Sequence, residues 1–331
     1  MKMKPLLFAA VLVGGLFTSH AEAVLYIYEG FSAGGLTPGA GQYQTTPNST
    51  NGTDNNSLVN QGPATTGFSA GTNWALATAT PTAGTTAVAA GIYPQALSTG
   101  LNYSDTLNNS LVTSMGSADW HRTSGASATN KRISRATNLT PTLASTGYFS
   151  VLMQYTAGLG GRVELFQADG SNGSSRSLFF GFNDAGNLIA GTSVDGGSTN
   201  IVTSANTFAA DATYLIFGEV VDDAVNDDIR VWLNPIDLSD PTAGVPILTS
   251  ANIGTGWVAN NASFTIRQMR LLAMPDVTGD QVIFDEIRVG STIGEVLPFN
   301  TAPSVAVPEP ATASLALLGL GGLMMRRRRM A

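Results

Sequence analysis

From Gly147 to Val289 the chain is cut every 10 to 15 residues or so by clusters of Gly, Asn and Asp, and no apolar period of about 3.6 survives for more than two turns between them. A chain punctuated in this way cannot form helices long enough to pack on one another. It can form short strands, and these bury their apolar sides by stacking one sheet on another. Tyr148 to Tyr155 and Arg162 to Gln167 flank the breaker Ala157-Gly158-Leu159-Gly160-Gly161. Leu178 to Phe182 and Leu188 to Thr192 flank Asn183-Asp184-Ala185-Gly186-Asn187, a sequence suited to positive φ. Tyr214 to Val221 and Ile229 to Leu233 flank the acidic turn DDAVNDD, and Phe264 to Met274 and Gln281 to Val289 flank MPDVTGD. The expectation is an all-β fold, an antiparallel β-sandwich whose second half runs as a meander.

Upstream the pattern is weaker. Val24 to Phe31 alternates as a strand, with Leu25, Ile27 and Glu29 on one side. Residues 32–86 are rich in Gly, Thr, Asn, Ser and Ala, and read as a loop-rich stretch with little to bury. Residues 97–135 read as irregular strands. The chain contains no cysteine, so its stability rests on an apolar core rather than on disulfides.

Both ends carry targeting features. Lys2 and Lys4, the apolar run Leu6 to Phe17 and the small-residue site Ala21-Glu22-Ala23 make up a secretory signal peptide over 1–23, with cleavage at Ala21 and Ala23. The mature body is then 24–300, followed by a linker and sorting segment over 301–331. In that segment, Pro308 and Pro310 hold Val307-Pro308-Glu309-Pro310 extended and outside any helix. Ala311 to Met325 is uncharged but only fifteen residues long, short of the ~20 that a stable span needs. Arg326, Arg327, Arg328 and Arg329 form a basic stop on the cytoplasmic side. This three-part tail resembles the PEP-CTERM sorting signal of Gram-negative bacteria. The resemblance implies recognition of the Pro-Glu-Pro box by an exosortase, transient contact with the inner membrane, removal of the hydrophobic helix, and a mature form at the cell surface or in the extracellular matrix.

Charge and residue type exclude several chemistries. Between Val24 and Val307 there are ten Arg and Lys against twenty-one Asp and Glu, an acidic balance with no footprint for nucleic acid. His121 is the only histidine of that body, which excludes a multi-histidine metal site and leaves no serine triad with a Gly-x-Ser-x-Gly elbow. Asp222, Asp223, Asn226, Asp227 and Asp228 crowd oxygen ligands into one turn. That turn has two readings, a calcium site or a solvated hairpin tip, and the solvated tip is carried forward. Asp276 to Asp280 is a weaker version of the same pattern, and no other cofactor is expected.

The order YEGF, YFSVLMQY, GRVELF, SLFFGF, DDIRVWLNP and VIFDEIRVG resembles the laminin-G-like and concanavalin A-like jelly rolls of secreted bacterial proteins. It implies two curved sheets with the first and last strands side by side. Laminarinase-type hydrolases of that class need two carboxylates facing each other across a cleft, and their Glu-x-Asp-x-x-Glu pattern is absent. Asp285 and Glu286 are adjacent and should point to opposite sides, while Glu164 and Glu219 stand alone in apolar strands as outward residues. Trp74, Trp120, Trp232 and Trp257 could stack on sugars, but no binding face is assigned. The expected function is a noncatalytic module that binds extracellular polysaccharide; the alternative is a diverged polysaccharide-degrading enzyme of the laminarinase-like class.

Overall fold

The computed structural model describes residues 23–34, 42–43, 65–66, 68, 72–76, 92–122, 131–137, 146–156, 160–166, 176–194, 199–221, 228–250, 266, 268–273 and 281–301. The signal segment up to Glu22, the sorting tail from Ala302, turn residues Asp222 to Asp227, the turn Asp276 to Asp280 and Trp257 lie outside the described residues.

The first sheet contains β1 (Leu25–Glu29), β3 (Ile92–Leu97), β5 (Ser117–Arg122), β7 (Thr146–Tyr155), β12 (Tyr214–Val221), β13 (Asp228–Leu233), β14 (Leu248–Ser250) and β16 (Gln281–Gly290). Its order is β14-β13-β12-β7-β16-β5-β3, with β1 also pairing β16. The second sheet contains β2 (Ala75–Leu76), β6 (Lys131–Ala136), β8 (Gly161–Phe166), β9 (Arg176–Phe182), β10 (Asn187–Val194), β11 (Thr199–Thr207) and β15 (Gln268–Ala273). Its order is β11-β10-β9-β8-β15-β6-β2. A two-stranded piece joins β4 (Ser110–Leu111) to β17 (Phe299–Asn300), and α1 (Ile293–Val296) is a single helical turn. The strands pair antiparallel throughout. The body is the expected antiparallel sandwich, and its first strand lies against its last long one, with Tyr28 opposite Arg288.

Alternating side chains of the two sheets meet in one core. Phe149 of the first sheet stacks on Phe180 of the second with ring centroids 4.0 Å apart, and Tyr155 packs on Phe182 at 4.8 Å. Gly218 sits directly opposite Phe149, where any Cβ would run into the phenyl ring. The outer side of the first sheet carries a second apolar cluster. There Leu152, Leu215, Phe217 and Trp232 are covered by Leu101, Leu111, Leu238, Val296 and Leu297.

Local chemistry explains the hairpins. Asn183 Oδ1 accepts from the amides of Ala185 (3.1 Å) and Asn187 (2.9 Å), and Gly186 has φ +79°. Asn234, with φ +49°, ends β13 by binding Leu215 twice at 2.8 Å, once through its amide and once through Oδ1. Two expectations need correction. The second half is not one meander, because β7 and β8, like β15 and β16, lie in opposite sheets. Gly161 starts β8 under the first sheet, and a Cβ there would lie 2.6 Å from Val282 Cγ1, so the crossing passes where only glycine fits. The stretch 32–86 also buries more than its composition suggests, since Tyr43, Phe68 and Trp74 are all in the core.

These three aromatics surround a buried ion pair. Arg135 Nη1 lies 3.0 Å from Glu29 Oε2, and both side chains are almost wholly inaccessible. Glu29 also accepts from Tyr43 Oη at 2.8 Å and from the Phe31 amide at 3.2 Å, while Trp74 Nε1 donates to Tyr43 Oη at 2.8 Å. Arg135 further donates to Thr65 Oγ1 and the Thr72 carbonyl, and lies 4.3 Å over the Phe68 ring. Burial pushes the Glu29 carboxyl up and the Arg135 charge pulls it back. Arg135→Leu strands the Glu29 charge in the core and is expected to cost about 3–5 kcal/mol, with Glu29→Leu added to it recovering a large part. Urea midpoints of the two variants check this, and a double variant no better than the single one overturns it.

Candidate functional site

On β8, β9 and β15 the core takes Val163, Leu165, Leu178, Phe180, Met269 and Leu271, so the residues between them face outward. Register places Phe179, Glu164 and Arg270 side by side across three strands. Glu164 is 2% exposed and accepts from Arg162 Nε at 2.7 Å. Arg162 Nη2 lies 2.6 Å and Arg270 Nη1 3.5 Å from the same carboxylate. Each guanidinium also covers a ring, Arg162 over Phe179 at 4.6 Å and Arg270 over Phe166 at 3.9 Å. Glu164 is thus outward-facing, as expected, but it is buried and doubly paired.

Beside Arg162 lies a cavity of about 250 Å³, lined among others by Asp184, Ile189, Ile201, Thr203 and Leu272. It combines guanidinium donors, a hydroxyl and a carboxylate with apolar walls, and Ile201 on its lining is 48% exposed. Such a mixture suits a neutral, hydroxyl-rich ligand that needs both donors and acceptors. The Glu164 carboxylate is engaged by two guanidinium groups, from Arg162 and Arg270. The other carboxylate, Asp184, belongs to the β9–β10 turn rather than to a strand of this face.

The remaining candidates lie apart. Glu219 pairs with Arg230 at 2.7 Å on the first sheet. His121 lies on β5 in register with Gln281. Trp74, Trp120 and Trp232 are all buried, so none offers a stacking surface. Asp228 opens β13, opposite Val221, and among the described residues no three His, Cys, Asp or Glu side chains gather as a metal site.

Asp285 and Glu286 correct another expectation, because both reach the same side of β16. The register shifts between Asp285 and Arg288, and Glu286 has φ +50°, so a bulge cancels the alternation. Asp285 Oδ2 accepts from the Leu101 amide at 2.7 Å, and Glu286 Oε1 accepts from the Ser114 amide, both donors in the segment that covers the first sheet. Arg288 Nη2 holds Glu286 Oε2 at 2.6 Å and lies 4.5 Å over the Tyr28 ring. Burial and the Glu286 charge push the Tyr28 phenol up to about 12. These carboxylates clamp a covering segment, and neither faces a cleft.

Residues 306–329 match the PEP-CTERM protein-sorting motif. The chain therefore carries a signal for exosortase processing and for export to the cell envelope or beyond. Among solved structures, the fold is similar to the galectin LEC-6 of Caenorhabditis elegans, at 14% identity over 47% of this chain and 94% of that one (TM-score 0.29). It is also similar to the endo-1,3-beta-glucanase of Streptomyces sioyaensis, at 14% identity over 70% and 99% (TM-score 0.35). The globular domain of T. cruzi calreticulin is similar at 13% identity over 68% and 86% (TM-score 0.37). No curated protein matches the sequence.

Burial first, and the Glu286 charge second, hold the Asp285 carboxyl well above the usual carboxylate range, against the pull of the Leu101 and Glu286 amides and of Arg288. With the folded value above the unfolded one, the stability this group contributes is full below about pH 4 and is lost as pH rises through the folded value. Asp285→Asn removes that ionisation. Urea midpoints at acid and neutral pH should show the wild type losing ground to the variant as pH rises, and parallel profiles refute the assignment.

Proposed function

We propose that the protein is an exported, exosortase-processed surface or matrix protein of a Gram-negative bacterium, whose sandwich binds extracellular polysaccharide without cleaving it. The sorting motif at 306–329 carries this reading, because it directs the body to where such polysaccharide lies. The arrangement around Arg162 supports the binding part, with polar groups set among apolar walls beside the Arg162–Glu164 ion pair. Its partners are the secretion machinery and exosortase before maturation, and the matrix glycan after it. The alternative, a laminarinase-like hydrolase, requires an acid and a second carboxylate about 5.5 Å apart on one cleft face. On the outer side of the second sheet, the described strands bring forward Glu164 and no carboxylate opposite it.

Two measurements test the reading. Arg162→Ala should weaken polysaccharide binding in affinity electrophoresis by roughly tenfold to a hundredfold, the worth of hydrogen bonds from a charged donor. Release of reducing sugar by the wild type would instead establish the hydrolase. Replacing Pro308-Glu309-Pro310 by three alanines removes the proline restraint and lengthens the uncharged run towards the ~20 residues of a stable span. Cell fractionation should then find unprocessed protein in the inner membrane, and surface delivery at the wild-type level and size defeats the sorting part.

A further inference from the structure

Ala23, the last residue of the small-residue site Ala21-Glu22-Ala23, and Val24, which follows it, lie exposed just before β1. The Val24 amide donates to Ser291 Oγ at 2.8 Å, and the Val24 carbonyl accepts from the Ser291 amide at 3.0 Å. Behind the hydroxyl stands a carboxylate: Ser291 Oγ donates to Glu295 Oε2 at 3.3 Å, and the Ser291 amide donates to the same oxygen at 3.2 Å. In the uncleaved chain the nitrogen aimed at this group is a neutral amide with a single hydrogen.

We propose that removal of the signal peptide creates a docking site for the new N-terminus, in which the Val24 ammonium seats on Ser291 and Glu295 and clasps the first strand to the last. The step is hydrolysis of the Ala23–Val24 amide by a signal peptidase. The C–N bond breaks as water adds its hydroxyl to the Ala23 carbonyl carbon and one proton to the Val24 nitrogen; the Ala23 carboxylic acid so formed loses its proton to solvent, and the Val24 amine takes one up. A neutral group with one donor becomes a cation with three, held against an acceptor and an anion already in place. Cleavage one residue upstream leaves the charge beyond the clasp, cleavage one residue downstream removes Val24 itself, and cleavage after Ile27 removes two core residues, Tyr26 and Ile27. The titratable groups beside the Ser291 hydroxyl on the described elements are Tyr26 on β1 and Glu295 on α1; Arg288 on β16 lies opposite Tyr28 and is engaged by Glu286. Burial, and then the Glu295 charge, raise the Tyr26 phenol, and the Glu295 carboxylate stands behind the Ser291 hydroxyl that the Val24 nitrogen reaches.

The test uses the full gene expressed in an exporting host, with intact mass defining each N-terminus. Three variants are compared with the wild type: one alanine inserted between Ala23 and Val24, Glu295→Gln, and the two combined. Wild type should begin at Val24, and its α-amino group should titrate above the ordinary ~7.7–8.0 in an NMR titration. The clasp then contributes fully below the ordinary value and is lost as pH rises through the raised one. Near neutral pH, insertion and Glu295→Gln should each lower Tm by about 2 °C, and the combination by no more than either alone. A different mature terminus, an unraised α-amino pKa, or additive losses of Tm would overturn the proposal. None of these readouts involves a glycan.

Discussion

An ion pair sealed inside an otherwise apolar sandwich sets the terms for the rest of this structure. Taking Glu29 and Arg135 out of water costs several kcal/mol for each ion, and the cost is met only when every strong donor and acceptor is aimed at a partner. Those partners come from Phe31, Tyr43, Thr65 and Thr72 as well as from the two ions themselves. Because β1 belongs to one sheet and β6 to the other, the pair ties the layers together in a single relative placement. Moving either strand by one residue would turn a charge outward and leave its partner bare, so the network specifies register as much as it stabilises.

Much of the architecture could be read from the residues. The β9–β10 and β12–β13 hairpins follow from turn residues between apolar runs, and Asn234-Pro235 ends a strand as its chemistry requires. The distribution of strands between sheets could not be read in this way, since a crossing and a hairpin both show a glycine-rich break between two apolar segments. KRISRA falls at the end of a stretch that reads only as irregular strands, yet Ile133 and Arg135 are both buried. Its arginine is buried because Glu29, a hundred residues earlier in the chain, is waiting for it, and no local pattern records so distant a partner. The bulge at Glu286 was hidden for a related reason. Alternation assumes an unbroken pleat, and a single left-handed residue reverses it.

The candidate site was legible only in part. Glu164 stood out as an acid in an apolar strand, but Arg162 and Arg270, which disarm it, are brought together by pairing across β8 and β15. The tryptophans, the obvious sugar-stacking residues by composition, are all buried where the structure describes them, Trp74 and Trp120 between the sheets and Trp232 under the segments that cover the first sheet. The outer side of the first sheet is closed by the chain's own segments, which leaves the second sheet to present charge and a cavity.

The position of β16 bears on when the sandwich can form. This strand pairs with β1, β5 and β7, so it completes the middle of the first sheet although it is among the last parts of the body to be synthesised. Until Gln281 to Gly290 arrives, β1 has no partner among the described strands and β7 lacks one side. Loop closure over nearly the whole body precedes the reward, which makes folding slow relative to chains of local contacts. For a chain that carries a signal for export to the cell envelope or beyond, that delay has a consequence: the body stays loose until its last long strand is in place.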